Sequence, residues 1–227
     1  MMMLFTLAIA LSQSVSAAPE PLRPPDGSYT YTISEGAGPA IFQSTIVVKS
    51  NGPTFAVFEK TKLPNGAVAM TTCTWSSADL LPISFEVRQG KTALRARISP
   101  TTLSFTSIPI SFSRIRGTSY ILPSVGLITT SMMLPYLVTA HPGESITIAE
   151  IQNKQTVLAQ PSSASPSQAG PTGDVPCSIT KDKEHGNAAD PEQIVAWRNP
   201  KTGVIDEEHV SPGDARIVLV KFTPGSR

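Results

Sequence analysis

The chain has 227 residues, with 18 basic and 17 acidic side chains, so its formal net charge is +1. Charged residues make up 15% of the sequence, against roughly 25% in an average soluble domain. This near-neutral balance argues against a nucleic-acid-binding protein, which needs a basic face to neutralise phosphates. Hydrophobic residues, at 40%, suffice for one sizeable core, whereas 21 Pro and 15 Gly argue against a bundle of long helices.

The N-terminus predicts an export signal. An apolar run from Leu4 to Leu11 is followed by a short polar stretch and then by Val15-Ser16-Ala17-Ala18, whose small residues suit a signal peptidase. The run is too short to cross a bilayer core of roughly 30 Å as a helix. We therefore predict a signal peptide over residues 1–18, an extended Pro-rich linker over 19–26, and a protein exported to the periplasm or the extracellular space.

Export changes what is expected of the two cysteines, Cys73 and Cys177. In an oxidising compartment a disulfide between them can persist. The alternative is two separate buried thiols that pack as small apolar side chains; we favour the disulfide. Two cysteines and three scattered histidines lack the spacing of a zinc site, so we predict no metal ion and no other cofactor.

Short segments along the chain alternate apolar and polar side chains with the period of two that is typical of half-buried strands. Tyr29–Ile33 and Ile83–Arg88 are clear examples. The apolar residues of Leu103–Phe105 are odd-numbered and those of Ile108–Phe112 are even-numbered, so a bulge or a new strand is expected near Thr106. Roughly ten short strands at intervals of about 8–12 residues predict a largely antiparallel β-sheet or barrel.

One segment departs from this pattern, since Thr118–Ala140 contains no charged residue. Its strongly apolar residues include Leu127, Ile128, Met132, Met133 and Leu134. Pro123, Pro135 and the absence of a basic anchor weaken the interpretation as a transmembrane helix. We predict instead a buried helix of about three turns that lies across the sheet.

Pro161–Gly173 contains neither a charged nor a large apolar residue, which predicts a flexible loop or linker. The segment that follows it, Val175–Phe222, is too short to bury a core of its own. We therefore expect this segment to complete the same sheet, so that residues 27–222 form a single domain with a flexible loop over 161–173.

The densest titratable cluster is Asp206-Glu207-Glu208-His209. In a strand, Asp206 and Glu208 share one face, while Glu207 and His209 share the other. A carboxylate–histidine pair could serve acid–base chemistry or bind a cation. The simpler interpretation is a solvated outer face on a strand near an edge, where charges discourage aggregation.

Two further patterns have structural explanations. Ser178–Lys181 and Lys201–Gly203 match the S-x-x-K and K-T-G motifs of penicillin-interacting serine enzymes, but a hairpin turn with Gly203 at positive φ explains the second better. Basic residues in the middle of the chain could attract anionic head groups, although a solvated face explains them as well; they are Arg88, Lys91, Arg95, Arg97, Arg114 and Arg116.

Several segments together resemble the half-barrel group of exported bacterial proteins that is related to periplasmic lipoprotein carriers. They are Asp26–Ile33, the strand around Trp75 with Ala78–Pro82, Ala196–Gly203 and Pro212–Val220. The resemblance implies a mainly β fold, an antiparallel sheet of about 10–11 strands curled into a half-barrel around one or more helices. Carriers of that group hold acyl chains in the concave face, but no functional residue can be transferred position by position.

We therefore expect a non-enzymatic cell-envelope protein that binds an apolar ligand or lipid in the concave face of its sheet. Its tentative contacts are the apolar residues Leu127, Ile128, Met132, Met133 and Leu134. A second hypothesis is a structural or protein-interaction module of the envelope, with a filled core and a protein partner. A third is an envelope hydrolase with a polar site near Asp206 and His209.

Overall fold

The computed structural model describes residues 22–113, 118–123, 128–151, 154–163, 166, 169–183 and 191–225. The predicted signal peptide, the first residues of the predicted linker and Leu127 lie outside the described residues, as do Arg114 and Arg116.

The described chain forms fifteen β-strands and one α-helix. In chain order the strands are β1 Gly27–Glu35, β2 Ala40–Asn51, β3 Thr54–Lys62, β4 Val68–Ser76, β5 Pro82–Gln89, β6 Thr92–Ile98, β7 Thr102–Phe105, β8 Ser111–Ser113, β9 Thr118–Pro123, β10 Ser145–Glu150, β11 Gln155–Pro161, β12 Val175–Lys183, β13 Glu192–Arg198, β14 Ile205–Ser211 and β15 Ala215–Pro224. The helix α1 is Thr129–Ala140 and lies between β9 and β10.

All the strands belong to one sheet, in the order β8-β7-β6-β5-β4-β3-β2-β1-β15-β14-β13-β12-β11-β10-β9. Neighbouring strands are antiparallel except for β9, which pairs with β10 in parallel. The strand β9 at one edge also approaches β5 and β7 near the other edge, so the sheet curls into a nearly closed barrel. This confirms the predicted mainly β, antiparallel and curled fold.

The sheet has more strands than the 10–11 that were expected. The strand β9 was not recognised because it lies in the uncharged segment that was assigned to the buried helix, and β12 was not recognised because it is polar and contains Pro176, a residue type depleted in strands. The expected break near Thr106 is present, since β7 ends at Phe105 and β8 begins at Ser111. Gly203 has a φ of 75° in the turn between β13 and β14, as the hairpin interpretation requires.

The alternation of side chains separates an interior from an outer face. On β3, Phe55 and Val57 point inward and are fully buried, whereas Phe58, the residue after Val57, points outward and is 43% exposed. The helix α1 packs inside the curl of the sheet and buries most of its side chains, among them Met133 and Leu137. Its 12 residues agree with the buried helix of three turns predicted from the sequence. Within the described ranges, no helix combines the length and the apolar character needed to cross a membrane.

Both cysteines are free thiols in the structure, so the predicted disulfide is absent from it. Cys73 lies on β4 and Cys177 on β12, and six other strands separate β4 from β12 in the order of the sheet. Burial raises the pKa of both thiols, that of Cys177 to about 11. Each side chain is therefore held in the less reactive protonated form.

Candidate functional site

The candidate site lies on the outer face of the sheet, over β13, β14 and β15. Cross-strand pairing places Trp197 opposite Glu207, and His209 opposite Arg216. Because side chains alternate along a strand, these four share the face that points away from the core, whereas Glu208 points inward. The strand register therefore brings an aromatic ring, a carboxylate, an imidazole and a guanidinium together.

Glu207 is the centre of this group. Its Oε1 accepts hydrogen bonds from His209 Nε2 at 2.6 Å and from Arg216 Nε at 2.5 Å. Burial alone would raise the pKa of Glu207, but the hydrogen bonds from Arg216 and His209 outweigh it and hold this pKa below its ordinary value. The hydrogen bond to Glu207 likewise raises the pKa of Arg216. Both groups of the ion pair are therefore charged across the physiological range.

Trp197 forms the floor of the site and is only 3% exposed. The His209 ring meets it edge-on, with the ring centroids 4.7 Å apart. The backbone at Gly170 covers the indole: a Cβ at this position would lie 2.1 Å from Trp197 Nε1. Only glycine permits this approach, so the segment predicted to be a flexible loop is packed against the sheet at Gly170.

A cavity of about 670 Å³ opens beside these residues. Its walls come from the β1–β2 turn at Ala37, the β14–β15 turn at Asp214 and the covering segment at Ala169, and its base includes Gln193 and Val195. The volume suits a small molecule or one or two side chains of a protein partner. The lining can offer hydrogen-bonding groups beside a small apolar surface at Val195.

The sequence predicted part of this site. It placed Glu207 and His209 on one face, and the structure shows them hydrogen-bonded. It did not connect them with Trp197 or Arg216, because the pairing of β13, β14 and β15 is a long-range property that no local pattern encodes. The simpler interpretation of a solvated outer face is wrong for Glu208, which is 2% exposed and lies in the interior.

Ser178, the serine of the S-x-x-K pattern, is not placed to act as a nucleophile with His209. Ser178 lines the same cavity, but it pairs with Val195, and Val195 pairs with His209. Two strand spacings separate the serine from the histidine, roughly 10 Å, which is beyond hydrogen-bonding reach. Among the described residues there is also no group of three or more His, Cys, Asp or Glu side chains that could hold a metal ion.

The apolar residues predicted to contact a ligand lie in the core. Ile128, Met132, Met133 and Leu134 are each at most 1% exposed and belong to one hydrophobic cluster with the inward side chains of the sheet. Leu127 lies outside the described residues. A ligand bound at this position would have to displace these side chains from their packing.

An interior carboxylate that the sequence analysis missed holds the helix in place. Glu59 on β3 is 2% exposed and accepts hydrogen bonds from the backbone N–H groups of Ile128 at 3.1 Å and Thr129 at 3.0 Å, and from Thr129 Oγ1 at 2.7 Å. The hydroxyl groups of Ser44 and Thr61 also donate to it. The first N–H groups of a helix have no partner within the helix, and an anion there favours the helix dipole. Glu59 therefore fixes the start of α1 to the barrel wall.

Comparison with known proteins supports the fold alone. No family model matches the sequence, and no curated protein matches it. Among solved structures, a β-barrel-like protein from Brucella abortus, a domain of unknown function DUF1849, is similar. It shares 12% sequence identity and a TM-score of 0.54, and the match covers 91% of this chain and 100% of that chain. The chain is thus similar to a bacterial β-barrel-like protein over nearly its whole length.

Proposed function

We propose that the protein is a non-enzymatic interaction module of the cell envelope, with a filled barrel as scaffold and the outer-face cavity at Trp197 as the site for a protein partner. The burial of α1 inside the barrel is the observation on which this proposal rests. A barrel that is filled by its own helix presents its binding groups on the outside.

The interior argues against a carrier of acyl chains. The helix is tied to the wall at its start by Glu59 and further along by Tyr136, whose hydroxyl donates to the carbonyl of Gly203 at 2.6 Å. The apolar side chains between these points are packed in the core. We therefore favour the filled-core module over a lipid bound in the concave face.

The outer cavity supports binding rather than hydrolysis. His209 Nε2 is hydrogen-bonded to Glu207, and Ser178 lies two strands away, so this serine and this histidine do not form a catalytic pair. Trp and Arg are enriched where protein interfaces concentrate their binding energy, because they combine large apolar area with directed hydrogen bonds. Arg216, whose side chain is 44% exposed, meets that description in this cavity, which Trp197 underlies.

The location in the cell envelope rests on the predicted signal peptide of residues 1–18. The partner that the cavity suits presents a carboxylate for Arg216 and an apolar group for Val195.

Site-specific photo-cross-linking in cells that express the full chain tests this proposal. A photoreactive residue at Gln193, in the cavity, is expected to give a discrete cross-linked protein in the envelope fraction, and Arg216→Ala is expected to abolish that product. The same residue at Val220, which is 60% exposed and does not line the cavity, is the matched control and is expected to give none. Equal cross-linking at both positions, or none at Gln193, overturns the proposal.

A further inference from the structure

A second outer surface, formed by β2 to β6, has a strong positive charge. Its outward-facing cations are Lys49, Lys60, Lys62, Arg88, Arg95 and Arg97, and we call this surface the basic face. The only outward carboxylate on these five strands is that of Glu86. Six cations against one carboxylate give this surface an excess of positive charge, whereas the whole chain has a net charge of only +1.

The arginines of the basic face are arranged around a groove. Arg88 and Arg95 each bond Glu86 through Nε, Arg95 at 2.6 Å, while their side chains stay 53% and 58% exposed. Bonding through Nε holds the guanidinium planes without using their terminal nitrogens on Glu86. Arg97 lines the same groove, which has a volume of about 660 Å³. Exposed guanidinium groups held in this way match the oxygens of a phosphate.

Large apolar side chains lie on the same face and remain in solvent. Val47, Phe58 and Met70 are 39%, 43% and 47% exposed. Cross-strand pairing places Val47 next to Phe58, and Met70 next to Arg88. Scattered apolar residues on a surface need no explanation, but here they adjoin the cations along neighbouring strands. A partner that is apolar beneath an anionic layer would bury these side chains and pair with the cations together.

We propose that the basic face docks the protein on an anionic lipid membrane. The lysines and arginines contact phosphate head groups, while Phe58, Met70 and Val47 enter the boundary between head groups and acyl chains. A nucleic acid would satisfy the cations but leave these apolar side chains in water, so a lipid surface fits both observations. The basic face and the Trp197 cavity lie on different strands, so the two proposals are independent and are tested by different experiments.

Sedimentation of the full chain with lipid vesicles tests the proposal. The protein is expected to bind phosphatidylcholine vesicles that contain phosphatidylglycerol, to ignore vesicles of phosphatidylcholine alone, and to bind less as salt is raised. The double variant Arg95→Gln/Arg97→Gln is expected to bind about 30-fold more weakly, since each cation near an anionic surface contributes about fivefold. Phe58→Ser/Met70→Ser is expected to weaken binding without changing its salt dependence.

A matched control variant is Val220→Ser/Lys221→Gln, which removes an exposed apolar residue and a cation outside the basic face and is expected to bind as the wild type does. Thermal denaturation checks that every variant is folded. Equal binding to neutral vesicles, or equal binding by the arginine variant, overturns the proposal. Complete competition by inorganic phosphate would assign the groove to the free anion instead, and tighter binding of a DNA duplex than of vesicles would assign the face to nucleic acid.

Discussion

Glu208 is a carboxyl group enclosed by the apolar interior of the barrel. It is 2% exposed, and its Oε2 has no hydrogen-bond partner in the part of the chain that the structure describes. Burial raises its pKa to about 8, because a charge in a medium of low polarity is costly. The folded protein therefore holds this proton at a pH at which the unfolded chain has lost it.

This proton uptake predicts the direction of a pH effect on stability. The contribution of Glu208 is fully present below its ordinary pKa of 4.5 and is lost as pH rises through about 8. The Glu208→Gln variant lacks this ionisation, so its free energy of unfolding is expected to fall less between pH 5 and pH 8 than that of the wild type. Urea denaturation across this range measures the difference.

Glu192, which is half-buried and pairs with Lys181, supplies the control. Glu192→Gln is expected to leave the pH dependence close to that of the wild type, since an ion pair that remains in contact with solvent contributes little. If the two variants change the slope equally, the enclosed carboxyl of Glu208 is not its source.

At the scale of elements, the helix α1 depends on a carboxylate from another strand. Glu59→Ala removes the acceptor of the N–H groups of Ile128 and Thr129 and leaves these donors buried. The expected loss is about 3 kcal/mol or more in the free energy of unfolding, because each unsatisfied buried donor costs about 1–3 kcal/mol. Glu59→Gln, which retains one acceptor oxygen, is expected to lose less. Urea denaturation with a constant m-value measures both.

The matched control for this element is Glu86→Ala, which removes a carboxylate from an outward position of the same sheet. Its ion pairs are solvent-exposed, so the expected change is within about 1 kcal/mol. A Glu59→Ala variant as stable as Glu86→Ala would show that the start of α1 does not depend on Glu59.

Individual elements also show which features of the fold and the site local sequence patterns can predict. Alternation predicted most strands, and the uncharged apolar segment predicted the buried helix, because both follow from side chains within a few residues. The role of Glu59 had a local signal, since the residue is in phase with the buried Phe55 and Val57. No local signal indicated the partners of Glu207, because Trp197 and Arg216 come from two other strands and only the assembled sheet brings them together.

At the scale of the whole molecule, the sheet closes around its own helix and turns two chemically different surfaces outward. The cavity over β13 to β15 combines Trp197 with the half-buried ion pair of Glu207 and Arg216, while the basic face over β2 to β6 combines cations with exposed apolar side chains. Because α1 fills the interior, both surfaces lie on the outside of the barrel, and the core serves only to support them. The proposed function requires that the interior stay filled by α1, since an interior that opened for a lipid would make the protein a carrier.

Hydrogen–deuterium exchange of the α1 amides, with and without saturating lauric acid, tests this claim most directly. The amides of residues 132–134 and 136–140 are expected to exchange as slowly as those of the central strands β1 and β15, and the fatty acid is expected to leave their rates unchanged. Fast exchange in α1, or a change in its protection when the fatty acid is added, would contradict the filled barrel and restore the concave face as a ligand site.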